Sequence, residues 1–287
     1  MARSASADRA TGPSAAGAAN GAANNSTPLL SLRGIIKNFG PVQALSGVDL
    51  DVPAGQVTAL VGDNGAGKST LIKTVSGIWQ PDGGEILWEG HPVHIRDPRA
   101  PTALGIATMY QDLALCDNLD IVQNMFLGRE TLTPYRLLDE TSMELKARQT
   151  LKDLSVTTVS SIRQAVGSLS GGQRQAVAVA RAVMQDAKLV IMDEPTAALG
   201  VSQTAMVLDL IGELSRRGVA VLVISHNLND VFSVADRLAV LYLGKMAIEG
   251  PISDFDTQSA VEYITTGTSS SSSGTSTTVS NSNNSKD

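Results

Sequence analysis

Nine consecutive residues constrain this chain more than any other feature: Gly62-Asp63-Asn64-Gly65-Ala66-Gly67-Lys68-Ser69-Thr70. They match G-x-x-x-x-G-K-[ST] in full, directly after the apolar run 57–61 and at the start of a helical stretch at 68–76. A strand, a glycine-rich turn and a helix start in that order form an anion cradle. The glycines let the backbone wrap a phosphate, while successive N–H groups and the positive helix end point into the loop. Lys68 is expected to reach the outer phosphates of a nucleotide, and the Ser69 hydroxyl to ligate Mg²⁺.

The chain around this loop alternates between two patterns. Strand-like runs lie at 35–39, 57–61, 86–88, 106–110, 189–192, 219–224 and 238–243, and helical stretches at 68–76, 141–154, 172–184 and 203–216. Solid apolar runs such as 219–224 suit parallel strands buried on both faces. The earlier segment 48–52, broken by Pro53-Ala54-Gly55, suits antiparallel pairing. Residues 1–28 are built mainly from Ala, Gly, Ser, Asn and Thr, and 267–287 are Ser/Thr-rich, so both ends are expected to be disordered tails flanking a core at 29–266.

Composition narrows the function classes. Twenty-two basic against 28 acidic residues leave a net charge of −6, which argues against a general nucleic-acid binder. The one cysteine, Cys116, excludes an internal disulfide and points to a reducing compartment. No apolar run approaches the ~18 residues that span a bilayer.

Downstream, the apolar run 189–192 is followed by Asp193 and Glu194. A buried strand that delivers an acid at its C-terminal end sets it beside the phosphate loop, where open α/β sheets bind ligands. Asp193 would hold Mg²⁺, and Glu194 would polarise the attacking water as general base. Between loop and acids stands Leu169-Ser170-Gly171-Gly172-Gln173. By composition alone, a given pentapeptide occurs in a chain of this length about once in ten thousand sequences.

With these motifs the chain resembles the ATPase subunit of an ABC transporter over nearly all of residues 30–250, and LSGGQ is similar to that family's signature. The resemblance implies an α/β fold: a P-loop NTPase core with a mainly parallel sheet, an antiparallel β subdomain, and a helical subdomain at about 112–185 carrying the signature. It implies ATP and Mg²⁺ as cofactors, bound by Gly62, Asp63, Asn64, Gly65, Ala66, Gly67, Lys68, Ser69 and Thr70. It also implies that Ser170, Gly171, Gly172 and Gln173 face a nucleotide held by a second subunit, either an identical copy or another ABC ATPase. Gln111 matches the family's Q-loop, with a contact to Mg²⁺, and His226 matches the switch histidine at the γ-phosphate. Phe39 stands where the family stacks an aromatic on adenine. Lys68, Gln111, Glu194 and His226 are thus the catalytic set, and Ser69, Gln111 and Asp193 the metal set.

Gly200 departs from the family pattern, which has Asp at the end of this loop. Glycine is the usual choice where only a missing Cβ fits, so Gly200 is expected to adopt positive φ or to lie against the partner backbone. Residues 118–130 resemble bacterial monosaccharide importers of the ribose, xylose and fructose type. That resemblance implies a permease partner, indirectly an extracytoplasmic sugar-binding protein, and a peripheral location at the cytoplasmic face of the cell membrane. A soluble ABC-type ATPase acting on nucleic acid or the ribosome, and an efflux ATPase, are the alternative functions.

Overall fold

The computed structural model describes residues 27–156 and 158–269, so nearly all of the two expected tails lies outside the described residues. Two sheets share the core. The first is antiparallel, in the order β2-β1-β4-β5, from β1 (Leu30–Phe39), β2 (Val42–Val52), β4 (Gly83–Trp88) and β5 (His91–Val93). The second has the order β10-β9-β3-β8-β7-β6, from β3 (Val57–Val61), β6 (Ile106–Met109), β7 (Leu189–Asp193), β8 (Ala220–Ile224), β9 (Arg237–Tyr242) and β10 (Lys245–Pro251). All its neighbours are parallel except the β9–β10 hairpin, so the mainly parallel core and the antiparallel unit are both present as expected.

The solid apolar strands work because both their faces are covered. Along β3, β7 and β8, alternate side chains enter different cores, as the two-residue period of a strand requires. Val190, Met192, Val221 and Val223 join the core of α3 (Ile121–Phe126), α4 (Glu140–Asp153), α5 (Gly171–Met184) and α6 (Val201–Arg216). Leu189, Ile191, Leu222 and Ile224 join the opposite core, between α1 (Lys68–Val75) and the antiparallel sheet.

Four further helices and the strand β10 lacked a readable pattern. α2 (Arg99–Leu104), α3 and α7 (Leu228–Val234) are each too short for an amphipathic period to register. α3 owes its start to a local device: Asp120 accepts from the Gln123 backbone N–H while Gln123 Oε1 accepts from the Asp120 N–H. α8 (Thr257–Thr266) is opened the same way by Asp256 and Ser259. β10 exists through pairing with β9 across the two-residue turn Leu243-Gly244, both at positive φ, the geometry that suits a hairpin's twist. No helix among the described residues is long and apolar enough to cross a membrane.

Ile191, in the middle of β7, is 0% exposed. Ile191→Ala is expected to cost about 2–5 kcal/mol in urea unfolding, the range for large-to-small core changes. Tyr135→Ala, at a side chain 86% exposed, is expected to cost less than about 0.5 kcal/mol.

Candidate functional site

The strand register brings the chemistry to one edge. Leu60 of β3 pairs with Ile224 of β8, Asp193 of β7 pairs with the same Ile224, and Met109 of β6 pairs with Met192. The chain therefore leaves four neighbouring strands at a common C-terminal edge. Gly62, Gln111, Asp193 and His226 all emerge there, each within two residues of its strand.

The phosphate loop is fitted against fixed backbone. A Cβ on Gly62, at φ +155°, would come 2.2 Å from the Leu241 carbonyl oxygen, and one on Gly67, at φ +106°, 2.8 Å from that of Ala44. Both glycines are obligatory here, for conformation and for space. A further clamp comes from the β9–β10 turn. The Gly244 N–H donates to the Ala66 carbonyl at 2.9 Å, while the Ser46 N–H donates to the Gly244 carbonyl at 2.7 Å. Gly244 carried no sequence signal, because Leu243-Gly244 is not a favoured hairpin dipeptide.

Lys68 folds over the loop, its Nζ donating to the Gly62 carbonyl at 2.7 Å and to that of Asp63 at 2.9 Å. Burial lowers its pKa, while the carboxylates of Glu194, Asp63 and Asp193 pull the other way. The Asp193 carboxyl is raised by burial first and by the neighbouring Glu194 charge second, with Lys68 and Lys73 opposing. Ser69 and Thr70 sit in the first turn of α1, Ser69 exposed. Asp63, Asn64 and Gly65 form the exposed crown of the loop, and Ala66 is buried beneath it.

Glu194 is held in a demanding conformation. Its φ is +52°, a left-handed value that costs a side-chain residue about 1–3 kcal/mol unless the surroundings enforce it. The enforcing contacts are its N–H, donated to the Ile224 carbonyl at 2.9 Å, and its Oε2, 2.8 Å from His226 Nδ1. A carboxylate oriented by an imidazole beside an anion cradle can accept a proton from a water there.

The other expected residues stand apart from this group. Gln111 is exposed two residues past β6, with no hydrogen bond to Lys68, Asp193 or Glu194 among the described residues. Ser170 caps α5, its Oγ accepting from the Gln173 N–H at 3.3 Å while Gln173 Oε1 accepts from the Ser170 N–H at 3.0 Å. Gly171 and Gly172 follow in the first turn, and among the described residues no hydrogen bond or ion pair joins residues 170–173 to Lys68 or Glu194. Phe39 ends β1 half-exposed; Trp79 meets its ring edge-on at 5.4 Å and 79°, and Lys37 Nζ lies 5.6 Å from the ring centroid. Trp79 was silent in sequence because nothing in the spacing 39 to 79 announces a contact.

Gly200 corrects the expectation that it needs positive φ. It is the N-cap of α6 at φ −74° and ψ 163°, and a Cβ there meets nothing within 4 Å. The left-handed residues of this segment are Glu194 and Ala198. An N-cap favours Asp over Gly by only a few tenths of a kcal/mol.

The donor set bears on a metal. Among the described residues no three His, Cys, Asp or Glu side chains gather into a cage. The oxygens of Ser69 and Asp193 suit Mg²⁺, a hard cation held by one or two carboxylates with substrate phosphates supplying the rest. The Asp193 carboxyl is half-buried beside the Glu194 charge, a setting in which such an ion fits.

A six-stranded, mainly parallel sheet with a phosphate loop at its edge and an acid pair beside it defines a P-loop ATPase. A family model described as ABC transporter matches residues 45–197, and the chain belongs to that family. It is 48% identical to the fructose import ATP-binding protein FrcA of Rhizobium meliloti, over 83% of this chain and 94% of that one. It is 44% identical to the xylose/arabinose import ATP-binding protein XylG of Sulfolobus acidocaldarius, with the same coverage. Identity to the ribose import ATP-binding protein RbsA of Roseobacter denitrificans is 41% over 82% of this chain, which spans 46% of that relative. Among solved structures, a nucleotide-free ATP-binding cassette from an ABC transporter superposes at TM-score 0.68 with 29% identity, covering 78% of this chain and 91% of that one. The ADP conformation of MJ1267, an ATP-binding cassette of an ABC transporter, gives 0.70 at 28% identity, covering 82% and 94%. The chain is an ATP-binding, ATP-hydrolysing cassette.

Gly200→Asp is accordingly expected to raise stability by about 0.3 kcal/mol through capping of α6. A lowered melting temperature would show a constraint at this position that the single chain lacks.

Proposed function

We propose that this chain energises an ABC importer of a monosaccharide, hydrolysing ATP at the edge described above. The observation that carries the hydrolytic part is the Glu194–His226 contact beside a lysine-capped phosphate loop. The sugar part rests on relatives whose names specify fructose, xylose or arabinose, and ribose import.

In this reading the loop N–H groups of residues 62–70 wrap the phosphates and Lys68 swings from its carbonyl partners to the outer ones. Phe39 stacks on adenine, with Trp79 against its edge. Glu194 accepts the proton of the attacking water, and His226 holds the Glu194 carboxylate and contacts the γ-phosphate. Ser69, Gln111 and Asp193 would hold Mg²⁺, which when bound neutralises charge on the β- and γ-phosphate oxygens.

Residues 170–173 serve the nucleotide of a second copy or of another ABC ATPase subunit, since their own chain leaves them away from its loop. A membrane-embedded permease, supplied by an extracytoplasmic sugar-binding protein, couples to this pair at the cytoplasmic face of the membrane.

Glu194→Gln is expected to keep ATP binding while multiple-turnover hydrolysis falls by ~10²-fold or more, the scale of general-base catalysis. Lys68→Ala is expected to weaken ATP binding itself in direct titration, because it removes the charge on the outer phosphates. The substrate class is tested in cells lacking this gene: uptake of one labelled pentose or hexose should disappear, and return with the wild-type chain but not with Glu194→Gln. Unaltered uptake across a panel of such sugars would overturn the sugar assignment.

A further inference from the structure

Phe39 closes β1 with its side chain 39% exposed. An aromatic side chain without close packing shares three staggered χ1 rotamers, whereas a base can stack on only one of the ring positions they produce. The structure narrows that choice from outside β1. The Trp79 ring stands 5.4 Å from the Phe39 ring at 79°, and Lys37 Nζ lies 5.6 Å from its centroid. Lys37 is committed elsewhere, to the Asp82 carboxylate at 2.9 Å. Asp82 also holds main chain: its Oδ2 accepts from the Asn38 N–H at 2.6 Å, and its own N–H donates to the Ile36 carbonyl at 2.8 Å. These bonds fix the backbone at the end of β1. The rigid contact on the Phe39 side chain itself is Trp79.

Trp79 is fixed in turn by its backbone neighbours. The Ile78 and Trp79 N–H groups both donate to the Lys73 carbonyl, at 2.9 and 3.1 Å, and so close α1. Gly77 before them, at φ +75°, lies so near the next segment that a Cβ would come 2.5 Å from the Asp97 carbonyl oxygen. Gln80 after them donates from Nε2 to the Ile95 carbonyl at 2.7 Å. Because α1 starts at Lys68, one short helix carries the phosphate loop at its first turn and Trp79 just past its last.

We infer that Trp79 is a positioning residue for the nucleotide base: it holds the Phe39 ring in the orientation that receives the base, and α1 ties that orientation to the phosphate loop. The inference rests on the proposed reading that Phe39 carries adenine. Trp79 acts through Phe39 and not on the nucleotide. Without it the Phe39 ring shares three rotamers and occupies the receiving one about a third of the time, so apparent affinity for ATP falls about threefold. A ligand that has phosphates but no base does not sense the change.

The test uses the full chain carrying Glu194→Gln, so that ATP persists, with Trp79→Ala, Trp79→Phe or Phe39→Ala added. ATP and inorganic tripolyphosphate are titrated separately, and the Phe39 χ1 rotamer is read from three-bond couplings in the nucleotide-free chain. Phe39→Ala should weaken ATP binding about tenfold, the scale of one base stacked on an aromatic ring. Trp79→Ala should weaken it about threefold and average the Phe39 couplings, while tripolyphosphate affinity stays constant. Trp79→Phe, which restores a ring contact, should return both ATP affinity and the couplings to the parent values. A Phe39 rotamer that stays fixed in Trp79→Ala, an unchanged ATP affinity, or an equal loss for tripolyphosphate would each overturn the inference. If Phe39→Ala leaves ATP affinity unchanged, the adenine reading falls and the inference with it; an effect of Phe39→Ala without one of Trp79→Ala removes the inference alone.

Discussion

The nucleotide site depends first on a backbone fit: a phosphate loop packed against carbonyls that cannot retreat. Leu241 belongs to β9 and Ala44 to β2, so the loop is gripped by both sheets at once. The Gly244 N–H on the Ala66 carbonyl draws in the β9–β10 turn as a third contact. Each grip is made by main chain, whose position is set by strand pairing. The loop can therefore keep its N–H groups open toward an anion without relying on mobile side chains. The antiparallel unit thus helps to build the phosphate site as well as covering the parallel sheet.

Electrostatics at the sheet edge is balanced in the same economical way. Lys68 is half-buried and its ammonium is disfavoured there, while Asp193 and Glu194 stand close enough to oppose that effect. Asp193 in turn is raised by burial and by its neighbour's charge. An ammonium and two carboxylates thus share one half-buried edge, an arrangement suited to receive both phosphates and a cation. The left-handed backbone of Glu194, secured by Ile224 and His226, keeps the second carboxylate directed at that edge.

The signature loop follows a different logic. It sits on α5, away from its own chain's phosphate loop, and is shaped by the capping box and the wall of α6. Its geometry is complete in one chain, whereas its proposed use requires two. Gly200 belongs to this surface as well: its freedom in the single chain, at φ −74° with no neighbour, leaves the exposed start of α6 open.

Local pattern alone was enough for the chemistry-bearing core. The run 57–61, the glycine loop and the helix from Lys68 were legible because their contacts are sequential, and 189–194 because an apolar strand ending in acids is a pattern within a few residues. Signature capping was equally local, as Ser170 and Gln173 are three apart. What lay outside the sequence were contacts joining distant segments. Examples are Trp79 on Phe39, Gly244 on Ala66, Leu241 and Ala44 against the loop glycines, and Leu199 on Gly171. The same holds for β10, which needs β9 to exist, and for Gly200, whose conformation the residue type suggested wrongly. Hydrophobic period and motif spacing record which neighbours a residue has along the chain. Packing across it is decided only when strand register brings remote segments within a few ångströms, and that register is a property of the assembled sheets.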